Sequence, residues 1–160
     1  MATRRDSRKA STPVVRLEPM NAGHIPEIMS IENASFDDAW VRDAFERELV
    51  NDFSRPHVAL DNDDRVVGYV IYWVAGPEYH ILNIAVRPDS RRAGVGRLLM
   101  NLVVADAIEA AAEFVALEVR PSNTPARSLY QRYGFATVGF RKSYYRDGES
   151  AEVMILNLRR

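Results

Sequence analysis

Residues 81 to 96 read Ile-Leu-Asn-Ile-Ala-Val-Arg-Pro-Asp-Ser-Arg-Arg-Ala-Gly-Val-Gly. An apolar, strand-forming run is halted by Pro88, and a basic loop then opens a helix through Gly94 and Gly96. A helix start offers unpaired N–H groups and the positive end of the dipole, and glycine lets backbone come close to a ligand. Together these suit a pyrophosphate, so the segment implies a nucleotide-bearing cofactor.

Three kinds of chain carry glycines two apart after a strand: dinucleotide-binding folds, other anion-binding loops, and turns with no ligand. A dinucleotide fingerprint needs a third glycine where Leu99 stands, and the G-x-x-x-x-G-K phosphate loop is absent as well. What remains is R-x-x-G-x-G, from Arg91 to Gly96. This loop resembles the acetyl-CoA loop of the GNAT N-acetyltransferase superfamily.

The 160 residues suffice for about one domain with a substantial core. No apolar run approaches a membrane span, and residues 1–13 lack the apolar centre of a secretory signal, so a cytoplasmic protein is expected, with no membrane partner. Zero cysteines exclude disulfides, thiolate metal sites and a cysteine nucleophile, while His24, His57 and His80 show no metal spacing. No metal is expected, and the chemistry falls to carboxylates, phenols and backbone. The 21 basic and 22 acidic side chains nearly cancel, which gives no long-range attraction for nucleic acid. Residues 1–13, with Arg4, Arg5, Arg8 and Lys9 against Asp6, read as a flexible basic tail ahead of a single domain at 14–160.

Along that domain the patterns predict a strand at Val14–Leu17 and a helix capped by Asn21 with Ile25, Ile28, Met29 and Ile31 on one face. A second helix, capped by Asp37 or Asp38, carries Trp40, Ala44, Phe45 and Leu49. Strands at 57–60 and 66–74 flank the turn Asp61-Asn62-Asp63-Asp64, and Tyr79–Val86 is a third long strand. A helix from Gly94 to about Glu113, a strand at Phe114–Val119, a helix at Asn123–Tyr133 stopped by Gly134, and strands at Phe135–Tyr144 and Glu152–Leu158 complete the chain. The order β-α-α-β-β-β-α-β-α-β-β describes an α/β mixed sheet flanked by helices, not the strict alternation of a doubly wound fold.

The second informative segment runs Glu118-Val-Arg-Pro-Ser-Asn-Thr-Pro-Ala-Arg-Ser-Leu-Tyr-Gln-Arg-Tyr-Gly-Phe135. With Ser35-Phe36, Trp40, Glu48-Leu49, Asn83-Ile-Ala-Val86, Tyr144-Tyr145 and Met154, it resembles the RimI-like ribosomal-protein-alanine N-acetyltransferases of the GNAT superfamily over about residues 14 to 158. The resemblance implies the GNAT fold, with a central, mostly antiparallel sheet, and acetyl-CoA as co-substrate. It implies Glu118 as proton acceptor, Tyr130 as proton donor, and a cofactor site at Ile84, Ala85, Val86, Arg91, Arg92, Ala93, Gly94, Val95, Gly96, Arg97 and Asn123. Tyr144 and Tyr145 are implied to frame a peptide amine. The partner implied is a protein or peptide N-terminus, an N-terminal alanine of a small-subunit ribosomal protein. Ala93 stands where the family often has a basic residue, and Glu149-Ser150 stands where it tends to have an acidic pair.

The residue types suit acyl transfer. An amine attacks a thioester only when neutral, and an α-amine of pKa near 8 is about one-tenth neutral at pH 7, against below roughly a thousandth for lysine. A carboxylate acting through water is then a sufficient base, and a phenol can protonate a departing thiolate of pKa about 8.5. A splayed strand at Ile84–Val86 can offer N–H to the carbonyl oxygen. Structural readings stand beside these: Glu118 as a surface carboxylate on an alternating strand, Tyr130 as core packing, Asn123 as a helix N-cap, and Tyr144 with Tyr145 as cross-strand aromatics. Rival functions keep the fold with a lysine, polyamine or antibiotic amine as acceptor, or keep only acyl-CoA binding in a regulatory module.

Overall fold

The computed structural model describes residues 14–159, so the basic tail expected over 1–13 lies outside the described residues. Seven strands, β1 (Arg16–Pro19), β2 (Ser54–Leu60), β3 (Val66–Ala75), β4 (Glu78–Val86), β5 (Phe114–Val119), β6 (Ala136–Arg141) and β7 (Ala151–Asn157), make one sheet in the order β1-β2-β3-β4-β5-β7-β6. The helices are α1 (Ile25–Ser35), α2 (Arg42–Val50), α3 (Val95–Glu109) and α4 (Thr124–Tyr133). Every neighbouring strand pair is antiparallel except β4 with β5, which is parallel. The mixed, mostly antiparallel sheet matches the order read from the sequence.

Both faces of the sheet are covered, which is why β3 is buried continuously from Val66 to Tyr72 instead of alternating. One core, with Leu99, Met100 and Val103 of α3 and Tyr130 of α4, packs on Val70, Ile81, Leu117 and Met154. The other, with Ile25, Ile28 and Ile31 of α1 and Phe45 of α2, packs on Val58, Tyr69 and Ile71. Phe45 meets Tyr69 edge-on at 5.8 Å, an arrangement the ring quadrupoles favour.

Several boundaries move. Asn21 caps a short 3-10 turn, with Gly23 N–H donating to its Oδ1 at 2.9 Å, and that turn leads straight into α1. The helix α2 starts behind Val41 with no side-chain cap, so neither Asp37 nor Asp38 fills that place. Asp38 instead lies 3.3 Å from the Arg120 guanidinium. Helix α3 stops at Glu109, short of Glu113, because Ala111 takes a left-handed conformation (φ 54°) that turns the chain into β5. Strand β6 ends at Arg141, leaving Tyr144 and Tyr145 in the β6–β7 turn.

Gly68 sets how closely α3 approaches the sheet. A Cβ there would stand 3.0 Å from Val95 Cγ1, 3.1 Å from the Ala85 carbonyl oxygen and 3.2 Å from Leu99 Cδ1. The Ala85 oxygen belongs to the β4 backbone and cannot yield, so the Cβ is pressed toward Val95 and Leu99 and the α3 side must give way. Gly68→Ala is therefore expected to destabilise the fold by about 1–3 kcal/mol, read as a lower urea midpoint at unchanged slope. An unaltered midpoint would mean that the contact between α3 and β3 has slack.

Candidate active site

The site begins where two parallel strands part. β4 and β5 pair from Glu78↔Phe114 to Ile81↔Leu117, and no further, although β4 continues to Val86 and β5 to Val119. The register explains the separation: Ile71 faces Asn83 while Tyr72 faces Ile81, so Leu82 is an extra residue that bends β4. Arg87 N–H donates to the Val67 carbonyl on β3 at 2.8 Å. Alternation along an antiparallel pair then directs the N–H groups of Val86 and Ile84 away from β3, into the opening between β4 and β5. Ala85 faces the other way along this stretch and packs in the α1/α2 core.

A buried carboxylate holds that bend. Glu32 on α1 is 1% exposed, and it accepts from Asn83 Nδ2 (2.9 Å), from Trp40 N–H (3.0 Å) and from the Tyr69 hydroxyl. Three donors satisfy a charge that has no cationic partner among the described residues.

The loop beyond β4 forms the expected cradle. Arg92 (φ 65°) and Gly94 (φ 85°) are both left-handed, and Gly94 is the N-cap of α3 without a side-chain bond. The first N–H groups of α3 are thus left for an anion. Val95 is buried, so only its backbone faces outward, and a Cβ on Gly96 would stand 3.6 Å from Leu129 and 3.8 Å from Val86. Arg91 is committed to the frame: its Nε donates to the Val86 carbonyl (3.2 Å) and its Nη2 to Ser35 Oγ (3.1 Å). Ala93 is exposed and adds no charge to the loop. Arg97 lines a groove of about 230 Å³ with Asn101, Leu129, Arg132 and Tyr133, between α3 and α4. The loop, the open helix end and the outward N–H groups fit an acyl-CoA, although Arg132 and Asn101 carried no signal in the sequence.

Glu118 is not a solvated carboxylate. Its side chain is 11% exposed, His80 Nε2–H donates to its Oε2 at 2.6 Å, and Arg141 Nη2 lies 3.4 Å from its Oε1. Burial pushes its pKa up, but His80 and Arg141 together outweigh burial and hold the carboxyl below its usual range. Its neighbours Leu117 and Val119 point to the α3/α4 core, so Glu118 and His80 lie on the opposite face of the sheet. His80 and Arg141 escaped sequence reasoning, because only the β4–β5 and β5–β7–β6 register brings them to Glu118.

Tyr130 comes from the other face. It is 6% exposed, tilts against Phe135 at 5.9 Å, and burial, with a smaller effect from Tyr145, drives its pKa upward. No described residue hydrogen-bonds its hydroxyl. Asn123 is indeed the N-cap of α4, its Oδ1 accepting from Ala126 N–H at 3.3 Å, which leaves the Nδ2 donors uncommitted. Tyr144 and Tyr145 meet edge-on at 5.0 Å within one turn, so they are not cross-strand partners. Burial raises Tyr145 to about 12.

Known proteins repeat this architecture. The acetyltransferase (GNAT) family matches residues 25–135. A provisionally named [ribosomal protein bS18]-alanine N-acetyltransferase of Bacillus subtilis is 35% identical over 147 residues, covering 91% of this chain and 94% of its own. An N-alpha-acetyltransferase of Sulfolobus acidocaldarius is 33% identical over 162 residues, covering 93% of this chain and 95% of its own. The crystal structure of the ribosomal-protein-S18-alanine N-acetyltransferase from Escherichia coli superposes with a TM-score of 0.83 at 27% identity, covering 92% of this chain and 96% of that one. With the parted strands, the open α3 terminus and this likeness over nearly its whole length, the chain belongs to the acetyltransferase (GNAT) family and is an N-acetyltransferase.

Proposed function

We propose that residues 14–160 form one catalytic domain that moves acetyl from acetyl-CoA to the α-amine of an N-terminal alanine, on a small-subunit ribosomal protein in the cytoplasm. The observation that carries the chemistry is the pair of groups flanking the parted strands, Glu118 kept ionised on one face and Tyr130 kept protonated on the other. The acceptor rests on the likeness to ribosomal-protein-alanine N-acetyltransferases along 91% of the chain.

Acetyl-CoA, when bound, supplies an activated thioester and a thiolate leaving group. Arg92, Gly94, Val95 and Gly96 hold its pyrophosphate through backbone N–H, Ala93 and Arg91 shape that loop, Arg97 adds charge, and Asn123 offers Nδ2. The outward N–H groups of Ile84 and Val86, on either side of Ala85, are donors for the carbonyl oxygen. Glu118 Oε1 and Oε2 accept the amine's proton through water, with His80 and Arg141 fixing the carboxylate. The lowered pKa makes Glu118 a weak base, which suits an α-amine better than the more basic lysine. Tyr130 Oη, protonated throughout the working range, is the proton donor. Tyr144 and Tyr145 stand at the acceptor side.

Acetyl-CoA-dependent thiol release should be seen with free hexapeptides beginning with Ala, and not with N-blocked lysine peptides or spermidine, mass spectrometry locating the acetyl group on the α-nitrogen. Preference for the blocked peptides or the polyamine would remove the N-terminal assignment, and acetyl-CoA binding without turnover on any acceptor would point to a regulatory module.

Because no described residue bonds the Tyr130 hydroxyl, Tyr130→Phe should keep its melting temperature and its affinity for acetyl-CoA, while kcat falls on the order of 10²-fold. Unchanged turnover would take Tyr130 out of the mechanism.

The Glu118 carboxyl is held below the usual carboxylate range, so it adds no limb to the profile above that range. The sign for stability is the same: its contribution is full above the unfolded pKa and is lost only as pH falls through the lower folded value. Peptide kcat/KM should therefore rise with pH through about 8, the amine's own ionisation, and then level off. An inflection between pH 5 and 7 that vanishes in Glu118→Gln would overturn the assignment of a lowered pKa.

A further inference from the structure

Arg120 has no task in the chemistry above, yet it is the most connected side chain beside the site. It follows β5 directly, two residues beyond Glu118, and its side chain is only 20% exposed. Its Nη1 donates to Asp147 Oδ2 at 2.8 Å and lies 3.8 Å from Glu149 Oε1, while its Nη2 lies 3.3 Å from Asp38 Oδ1. The Tyr145 ring sits beneath the guanidinium carbon at 3.9 Å, and Ser122 Oγ donates to Glu149 Oε1 at 2.8 Å.

These partners come from three separate segments: the α1–α2 connection (36–41), the start of the β5–α4 connection (120–123) and the β6–β7 turn (142–150). The last of these has little to define it alone. Its internal backbone bonds are Tyr145 N–H to Glu149 O and Gly148 N–H to Tyr145 O, and both Ser143 (φ 50°) and Gly148 (φ 88°) are left-handed. A guanidinium is the one side-chain cation that can address carboxylates with separate N–H edges and stack on an aromatic ring at the same time.

We propose that Arg120 is a positioning residue for the acceptor: it clasps the 36–41 connection and the 142–150 turn to the end of β5, and so fixes the walls through which an amine reaches Glu118. Tyr145, stacked under the guanidinium, in turn orients the exposed Tyr144 at the rim. The acyl-CoA side, built on β4 and the start of α3, takes no part in the clasp. Unclasped, the turn samples many states, and apparent acceptor affinity falls by the fraction of time the walls are in place. The inference rests on acetyl transfer to an amine at this site, and not on which amine is the natural one.

The test compares the full chain with Arg120→Gln by amide hydrogen exchange and steady-state kinetics, using whichever acceptor in the panel above is turned over best. The expected result is faster exchange confined to 142–150 and 36–41, acceptor KM raised roughly tenfold, and the KM for acetyl-CoA unchanged. Arg120→Lys, which keeps the charge but loses the fork and the stack, should not restore slow exchange. Asp147→Asn combined with Glu149→Gln asks the same question from the turn, should the arginine variant not fold, and should reproduce both effects. Unchanged exchange, faster exchange with unchanged acceptor KM, or a parallel rise in both KM values would each overturn the clasp. Exchange needs no acceptor, so failure of the alanine assignment leaves that readout standing.

Discussion

The parting of β4 from β5 is the constraint on which the site depends. A strand inside a sheet spends its N–H and C=O groups on both neighbours, so it has nothing to give a ligand. Here β4 keeps β3 along its whole length but loses β5 after Ile81, which frees the N–H groups of Ile84 and Val86 without leaving the strand mobile. The extra residue Leu82 makes the bend, and Glu32 stops it from relaxing by holding Asn83 from the α1 side. The same carboxylate takes the N–H of Trp40, so the bend and the end of the α1–α2 connection are set by one buried group. Removing one partner of such a group leaves a buried donor or acceptor unpaired, at a cost of about 1–3 kcal/mol. The network is therefore rigid by necessity.

Two groups of opposite preparation lie on opposite faces of the sheet. The alternation of β5 sends Leu117 and Val119 into one core and leaves Glu118 on the other face, where His80 and Arg141 stabilise its charge. Tyr130, on α4, is surrounded by the α3/α4 core, and desolvation keeps its proton on. Burial acts on both groups in the same direction, toward the neutral form. Only the His80 hydrogen bond and the Arg141 guanidinium separate them, so the opposite directions of the two shifts come from neighbours and not from depth.

How much of this is legible in the chain follows from the range of each interaction. The turn at 61–64, the stop at Gly134, the helix start at Gly94 and the N-cap Asn123 are local, and each reads correctly from its own few residues. The end of α3 does not, because Ala111 adopts a left-handed turn that no glycine announces. The vacant capping role of Asp38 is a contest between a local partner and a distant one, and the Arg120 guanidinium wins it. His80 and Arg141 join Glu118 only through strand register, 38 residues separating His80 from Glu118. Spacing along the chain carries no trace of that pairing.

The net charge of −1 hides a local gathering of unpaired cations. Arg92, Arg97 and Arg132 form no ion pair among the described residues, and all three lie at the start of α3 or along the α3–α4 groove, where an anionic cofactor is expected. Lys142 and Arg146, which form no ion pair among the described residues, share the β6–β7 turn with Asp147 and Glu149, so that rim carries both signs. A chain with no overall attraction for polyanions can therefore still gather unpaired cations along one groove, and it does so while the carboxylates Asp38, Asp147 and Glu149 are drawn to Arg120 elsewhere.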